Sequence, residues 1–310
     1  MYKSKKYAFV CILMIFIIAL TVGVSAGFVK EEVKTDIQTN TEQDVVLPPD
    51  LTVEEETSNE EDNSVKPPVF NNGFQAIAYA NDVLNNGKGF TSYFTQSIRT
   101  MGQTQQVSTK RYRSGNLDLA EEWYYIDFAI GENKYKCFYS DNKTMSIKTV
   151  RDRNKYNFHD LSYLPCPADE LEIFSETDWT GIKGRCHLND FFLTVNSNTA
   201  KVIYFDKSSD KNNYVIKIQM KKDKIDSTYL KIVQDNGASN ISFDNLTLTF
   251  YVSKKTGYFT KIIKEETMIA TYAGFNGIEC KNTSTEVFLT MNKDCTQTIN
   301  EKYALNFIQN

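Results

Sequence analysis

Histidine is almost missing from this chain: His159 and His187 are the only two in 310 residues. The chain also lacks a Gly-rich phosphate loop, a Gly-x-Ser-x-Gly elbow and a His-Glu-x-x-His pair. The usual grounds for reading an enzyme from sequence are therefore absent. A surplus of positive charge is missing too. Residues 69–310 hold 29 Lys and Arg against 27 Asp and Glu, which leaves no electrostatic case for nucleic-acid binding. An even set of cysteines is lacking as well. Outside the first 28 residues there are Cys137, Cys166, Cys186, Cys280 and Cys295, so at least one has no disulfide partner.

What is present starts at the N-terminus. Lys3, Lys5 and Lys6 precede an uncharged, mostly apolar run from Tyr7 to Phe28. A run of that length spans a bilayer, and the lysines hold its N-terminal end in the cytoplasm. Residues 1–28 thus read as a signal peptide or an N-terminal transmembrane anchor. The protein is then single-pass in the cell membrane with its C-terminal domain outside, or secreted if cut after Ala26 in Val24-Ser25-Ala26. Cys11 follows Val10 in mid-run, whereas a bacterial lipoprotein cysteine follows a small residue at the run's end. Residues 29–68 read as a disordered acidic linker. From Glu31 to Pro68, twelve acidic residues face only Lys34 and Lys66, a net charge of −10. Such a segment has too little apolar surface to offset the entropy of ordering.

The remainder, 69–310, carries most of the aromatic residues and shows period-two alternation. Tyr214 to Met220 alternates with Ile216, Ile218 and Met220 on one face. Leu246, Leu248, Phe250 and Val252 form another apolar stripe, and Val287, Leu289 and Met291 a third. Residues two apart share a strand face, so each reads as a strand with one buried side. Ser253 to Gly257 is a hairpin turn before a strand at Tyr258–Lys264, followed by another at Thr267–Ala273. In the first half, strands are expected at Gly89–Thr100, Gln105–Arg113, Glu122–Ile130, Lys134–Tyr139 and Thr144–Val150. Short polar or Gly-containing breaks separate them, as in an antiparallel meander.

Two helices are expected. Phe74, Ile77, Ala78 and Leu84 fall on one stripe between Asn72 as N-cap and Gly87 as stop. Asp226 or Ser227 caps a second, with Tyr229, Ile232 and Val233 inward before Gly237. The stretch Asn154 to Asn189 around Pro165-Cys166-Pro167 is the least regular, with a short helix at Ala168–Phe174. The expected fold class is α+β: a large curved antiparallel sheet, an incomplete β-barrel, with a few packing helices. The competing architecture is two tandem small α+β domains.

This order of opening helix, meander, irregular middle, second meander and helix resembles the lipoprotein-carrier fold of LolA, LolB and LppX-type proteins. The likeness runs from Phe74 to Met291, and Thr247 to Lys261, strand, Lys-Thr-Gly turn, strand, carries it most closely. It implies a curved, incomplete barrel wrapped around helices and an apolar cavity that holds acyl chains. The lipoprotein cysteine of many such proteins is missing here.

Candidate chemistry is sparse. Cys186-His187 has the residue types of a nucleophile and base, but neighbours on a strand point to opposite faces. His159, Asp160, His187 and Asp190 are suitable ligand types without a recognised metal spacing. No catalytic residue, metal site or cofactor is assigned. Asp169-Glu170, Glu121-Glu122 and Glu265-Glu266 read as solvated acids, since adjacency does not make a glycosidase pair. Cys280–Cys295 and Cys166–Cys186 are candidate disulfides. The strand around Trp123, Tyr124, Tyr125, Ile126 and Phe128 has two apolar faces, and these residues are the candidate ligand lining. The expected function is non-catalytic: an extracytoplasmic protein that binds an apolar or lipid-like ligand in the concave face of the sheet. The alternative is a module that contacts an envelope protein or wall polymer without a cavity, and a hydrolase ranks third.

Overall fold

The computed structural model describes residues 68–100, 103–126, 132–141, 144–152, 170–175, 193–235, 237–272 and 274–308. The N-terminal apolar run, nearly all of the acidic segment, Phe128, His159, Asp160, Cys166, Cys186, His187 and Asp190 lie outside them. Among the described residues, no helix is long and apolar enough to cross a membrane.

Among the described residues, eleven strands form one antiparallel sheet in the order β6-β5-β4-β3-β2-β1-β11-β10-β9-β8-β7. The first meander comprises β1 (Gly89–Thr100), β2 (Gln103–Ser114), β3 (Leu117–Ile126), β4 (Glu132–Ser140), β5 (Thr144–Asp152) and β6 (Glu170–Ser175). The second comprises β7 (Ala200–Asp206), β8 (Asn213–Met220), β9 (Ala238–Ser253), β10 (Phe259–Tyr272) and β11 (Phe275–Met291). β1 pairs with β11 from Phe90↔Met291 to Thr100↔Cys280, and this pairing joins the meanders into one sheet rather than two domains. The order is open, with β6 and β7 at its edges.

Several boundaries differ from expectation. The two strands foreseen after Gly257 are a single β10, whose register shifts absorb the local irregularities. β3 begins at Leu117, immediately after the Gly115 turn, where φ is +57°. The helix expected at Ala168–Phe174 is instead the edge strand β6, paired with β5 through Ile147↔Glu172. β7 and the C-terminal helix were not foreseen, because neither shows a clean apolar period.

Helix α1 (Gly73–Asn86) starts where Asn72 accepts a hydrogen bond from Gln75 N at 3.0 Å. It buries Ala76, Ile77, Ala80 and Leu84, while Ala78 is exposed. Its first residue is glycine for a steric reason: a Cβ there would stand 2.6 Å from Ile216 Cγ2. Helix α2 (Ser227–Asp235) buries Tyr229 and Val233. Both helices pack with β7–β10 around Ile216, Ile218, Leu246, Leu248, Phe250 and Val252. Helix α3 (Thr296–Tyr303), followed by one π-helical turn (Ala304–Ile308), lies on the other face of the sheet against β2 and β3. There Ile299 is enclosed by Tyr112, Leu119, Tyr135, Cys137 and Tyr139.

The candidate site, an amphipathic cavity

The strands that α1 and α2 cover present their side chains in rows across the sheet. Register places Ile216, Phe250, Ile262, Glu286, Phe94, Thr109 and Glu122 in one row. The next row runs Ile218, Leu248, Lys264, Ser284, Gln96. Side chains alternate between faces along a strand, so both rows lie on one surface of the sheet. That surface is apolar over β8 and β9 and mixed from β10 to β2, where Ile262 and Phe94 stand among Lys264, Ser284, Glu286, Gln96 and Thr109.

Between it and α1 lies a cavity of about 530 Å³. Its floor is Leu248, Phe250, Ile262, Lys264, Ser284, Glu286 and Phe94. Its roof is Ala78, Asn81, Leu84 and Asn85 of α1, with Leu193 to Val195 and Asp226 beside it. Ala78 is exposed because it faces this space.

The polar end is internally paired. The Glu286 side chain is 2% exposed, accepts from Ser92 Oγ at 2.6 Å, and lies 3.4 Å from Arg111 Nη1, itself 5% exposed. Arg111 also sits 4.4 Å over the Phe94 ring. Lys264 donates to Tyr229 Oη at 3.1 Å and stands 3.5 Å from Glu266, to which the same Tyr229 hydroxyl donates. Gln96 donates through Nε2 to Asn282 at 3.1 Å, while its Oε1 is buried with no hydrogen-bond partner among the described residues.

β11 corrects the sequence reading. Val287 and Leu289 were expected inward, but the buried set is Asn282, Ser284, Glu286 and Phe288, with Leu289 exposed. The polar parity faces in because Ser92, Arg111 and Gln96 on β1 and β2 meet it with hydrogen bonds, which lowers the cost of burial.

Of the expected ligand strand, Trp123 is on the opposite face, 5.6 Å from Tyr135 in the cluster under α3. Tyr124, Tyr125 and Ile126 lie in β3, paired with Val107, Gln106 and Gln105. The lining missed by sequence reasoning had one signal: Lys264, and its partner Glu266, share the parity of Ile262 and Met268, charges set within an apolar stripe.

The expected Cys280–Cys295 bridge is not formed, and neither these two nor Cys137 is in a disulfide. Cys280 lies mid-strand in β11, and from there to Met291 the extended chain covers about 36 Å. Cys295 lies beyond that end, where its Sγ donates to Arg113 O at 3.1 Å. A disulfide needs Cα atoms within about 7 Å. Burial, reinforced by Glu266, pushes the Cys280 thiol up to about 12.

The adjacent acids separate as strand geometry requires. Glu121 bonds Lys302 at 2.6 Å under α3, while Glu122 accepts from Thr109 on the cavity face. Glu265 pairs with Lys217 at 2.9 Å outside, and Glu266 faces in. Among the described residues no cluster of metal-ligating side chains occurs.

By sequence, the chain matches no protein-family profile and no curated protein. By structure it is similar to the Mycobacterium tuberculosis lipoprotein LppX at 11% identity, over 71% of this chain and 94% of that one, with a TM-score of 0.33. It is also similar to a DUF1329 family protein from Desulfovibrio piger, at 12% identity over 75% and 97% of the two chains, with a TM-score of 0.24. The first is of the LppX type that the element order resembles. At such scores neither likeness bears on what the cavity holds.

Proposed function

We propose that the chain is a non-catalytic binding protein that works outside the cytoplasmic membrane and holds an apolar or lipid-like ligand between α1 and β9–β11. The observation that carries this reading is the cavity itself, about 530 Å³ and walled by Leu84, Leu193, Leu248, Phe250, Ile262 and Phe94. Its size falls in the range of small-molecule sites, and eight of its fifteen lining residues are apolar, the rest supplying polar groups that can orient a ligand. The sheet is read as curled toward this face into an incomplete barrel. Burial supports that reading, since the same surface remains covered at Thr109, Ala120 and Phe138, beyond the helices that pack on β7–β10. The N-terminal apolar run and the lysines before it support a position outside, with the acidic segment as a tether.

The test compares the full chain with Ala78→Trp, a change on an exposed face of α1 that fills the cavity. Both are purified identically and extracted with solvent, and lipids are quantified by mass spectrometry. Lipid adhering to the apolar run is common to both. A species present at about one per chain in the parent and lost in the variant is expected, and equal extracts from the two would refute the reading. A second reading, contact with an envelope protein, is favoured by edge strand β7, where Ile203 and Tyr204 are 50% and 43% exposed. A pull-down that loses its partner on Ile203→Lys would support it.

A further inference from the structure

Building on the binding reading, we propose that the ligand is a single-chain amphiphile with an uncharged, hydroxyl-bearing headgroup. Its chain lies over β9, and its head lies over the Lys264, Ser284 and Glu286 positions of β10 and β11. The cavity has room for about 18 groups of methylene size, if each takes roughly the 30 Å³ of a water molecule. That accommodates one acyl chain and a small head, and excludes two chains.

The floor sets the orientation. Leu248 and Phe250 offer nothing polar, whereas Lys264, Ser284 and Glu286 on the two adjoining strands do. The chemistry of these groups then selects the head. Each buried charge there already has an opposite partner, Arg111 with Glu286 and Lys264 with Glu266. A carboxylate or phosphate would add a negative charge with no counter-charge, and an uncompensated buried charge is costly, while an ammonium would have to stand beside the Lys264 ammonium. Asp226 beside the cavity opposes an anion further.

The hydrogen-bonding groups require a head that both donates and accepts. Gln96 Oε1, buried one strand in from Ser284, lacks a donor. The Lys264 ammonium has three N–H donors, of which Tyr229 and Glu266 engage two. Asn81, Asn85 and Ser284 offer both functions. Hydroxyl groups meet this pattern, a carboxylate only accepts, and an ammonium only donates.

The experiment photolabels the full chain in phosphatidylcholine discs with a diazirine-bearing monodecanoylglycerol. Competitors are unlabelled monodecanoylglycerol, decanoate, decylamine and didecanoylglycerol. Labelled peptides are expected from β9–β11, with monodecanoylglycerol competing at least ten-fold better than each of the others. Gln96→Leu and Ser284→Ala should each keep the labelling but bring that preference toward parity, and Ser284→Ala serves if Gln96→Leu does not fold. Equal or better competition by decanoate or decylamine overturns the headgroup assignment while the cavity reading stands. Equal competition by didecanoylglycerol overturns the single chain. No labelling of β9–β11, or labelling unchanged by Ala78→Trp, sinks the binding reading itself.

Discussion

Glu286 is a carboxylate enclosed on a sheet face, and Arg111 is what keeps its charge compensated. Removing one member of such a pair leaves a bare buried ion, at a cost of about 3–5 kcal/mol. Arg111→Leu is therefore expected to lower unfolding free energy by that amount in urea titrations. Replacing both with Leu should cost less than the single change, since no charge is then stranded. The thiols make a second prediction at this scale. With Cys280 pushed up to about 12 and Cys137 buried, both should resist iodoacetamide at pH 8 until the chain unfolds. Cys295, half-buried, should alkylate first, as peptide mapping would show.

Among the elements, α3 is held by Ile299, by Tyr303 on Tyr139, by the Lys302–Glu121 pair and by Asp294 ahead of its first turn. Ile299→Ala should destabilise by roughly 2–5 kcal/mol in the same titrations, as buried Ile truncations do. Asp294 accepts from Ser114 and Thr296 ahead of the helix, and these bonds hold its carboxyl at about 2 against an ordinary 3.8. A carboxylate lowered on folding adds stability above its unfolded value, and that stability is lost as pH falls through the folded one. Protection of α3 amides from hydrogen exchange should accordingly fall between about pH 4 and pH 2, and Asp294→Asn should remove that step. α1, α2 and the inward stripe of β9 were legible in the sequence because caps and apolar period agree there. β11 was not: its inward parity is Asn282, Ser284 and Glu286, and only partners almost two hundred residues away make that parity buriable. The cavity was hidden for the same reason. Its walls come from four strands and a helix that are distant in sequence, while the aromatic run at Trp123 turned out, where its side chain is described, to serve the core under α3.

At the scale of the molecule, the seam between β1 and β11 joins the two meanders. Phe90 meets Met291 across it, so the middle of the sheet is closed by the last strand to be made. Pairings that distant in sequence are slow to form, because loop closure precedes any gain from contact. At the ordinary pace of synthesis, about 10–40 s separate the appearance of Thr100 from that of Met291. Throughout that interval one edge of β1, with Phe90, Phe94 and Ile98 beside it, is an unpaired template for other chains. A nascent chain of this protein is therefore most exposed to self-association at what becomes the centre of its finished sheet, and the cell has to shield it there until the final strand arrives.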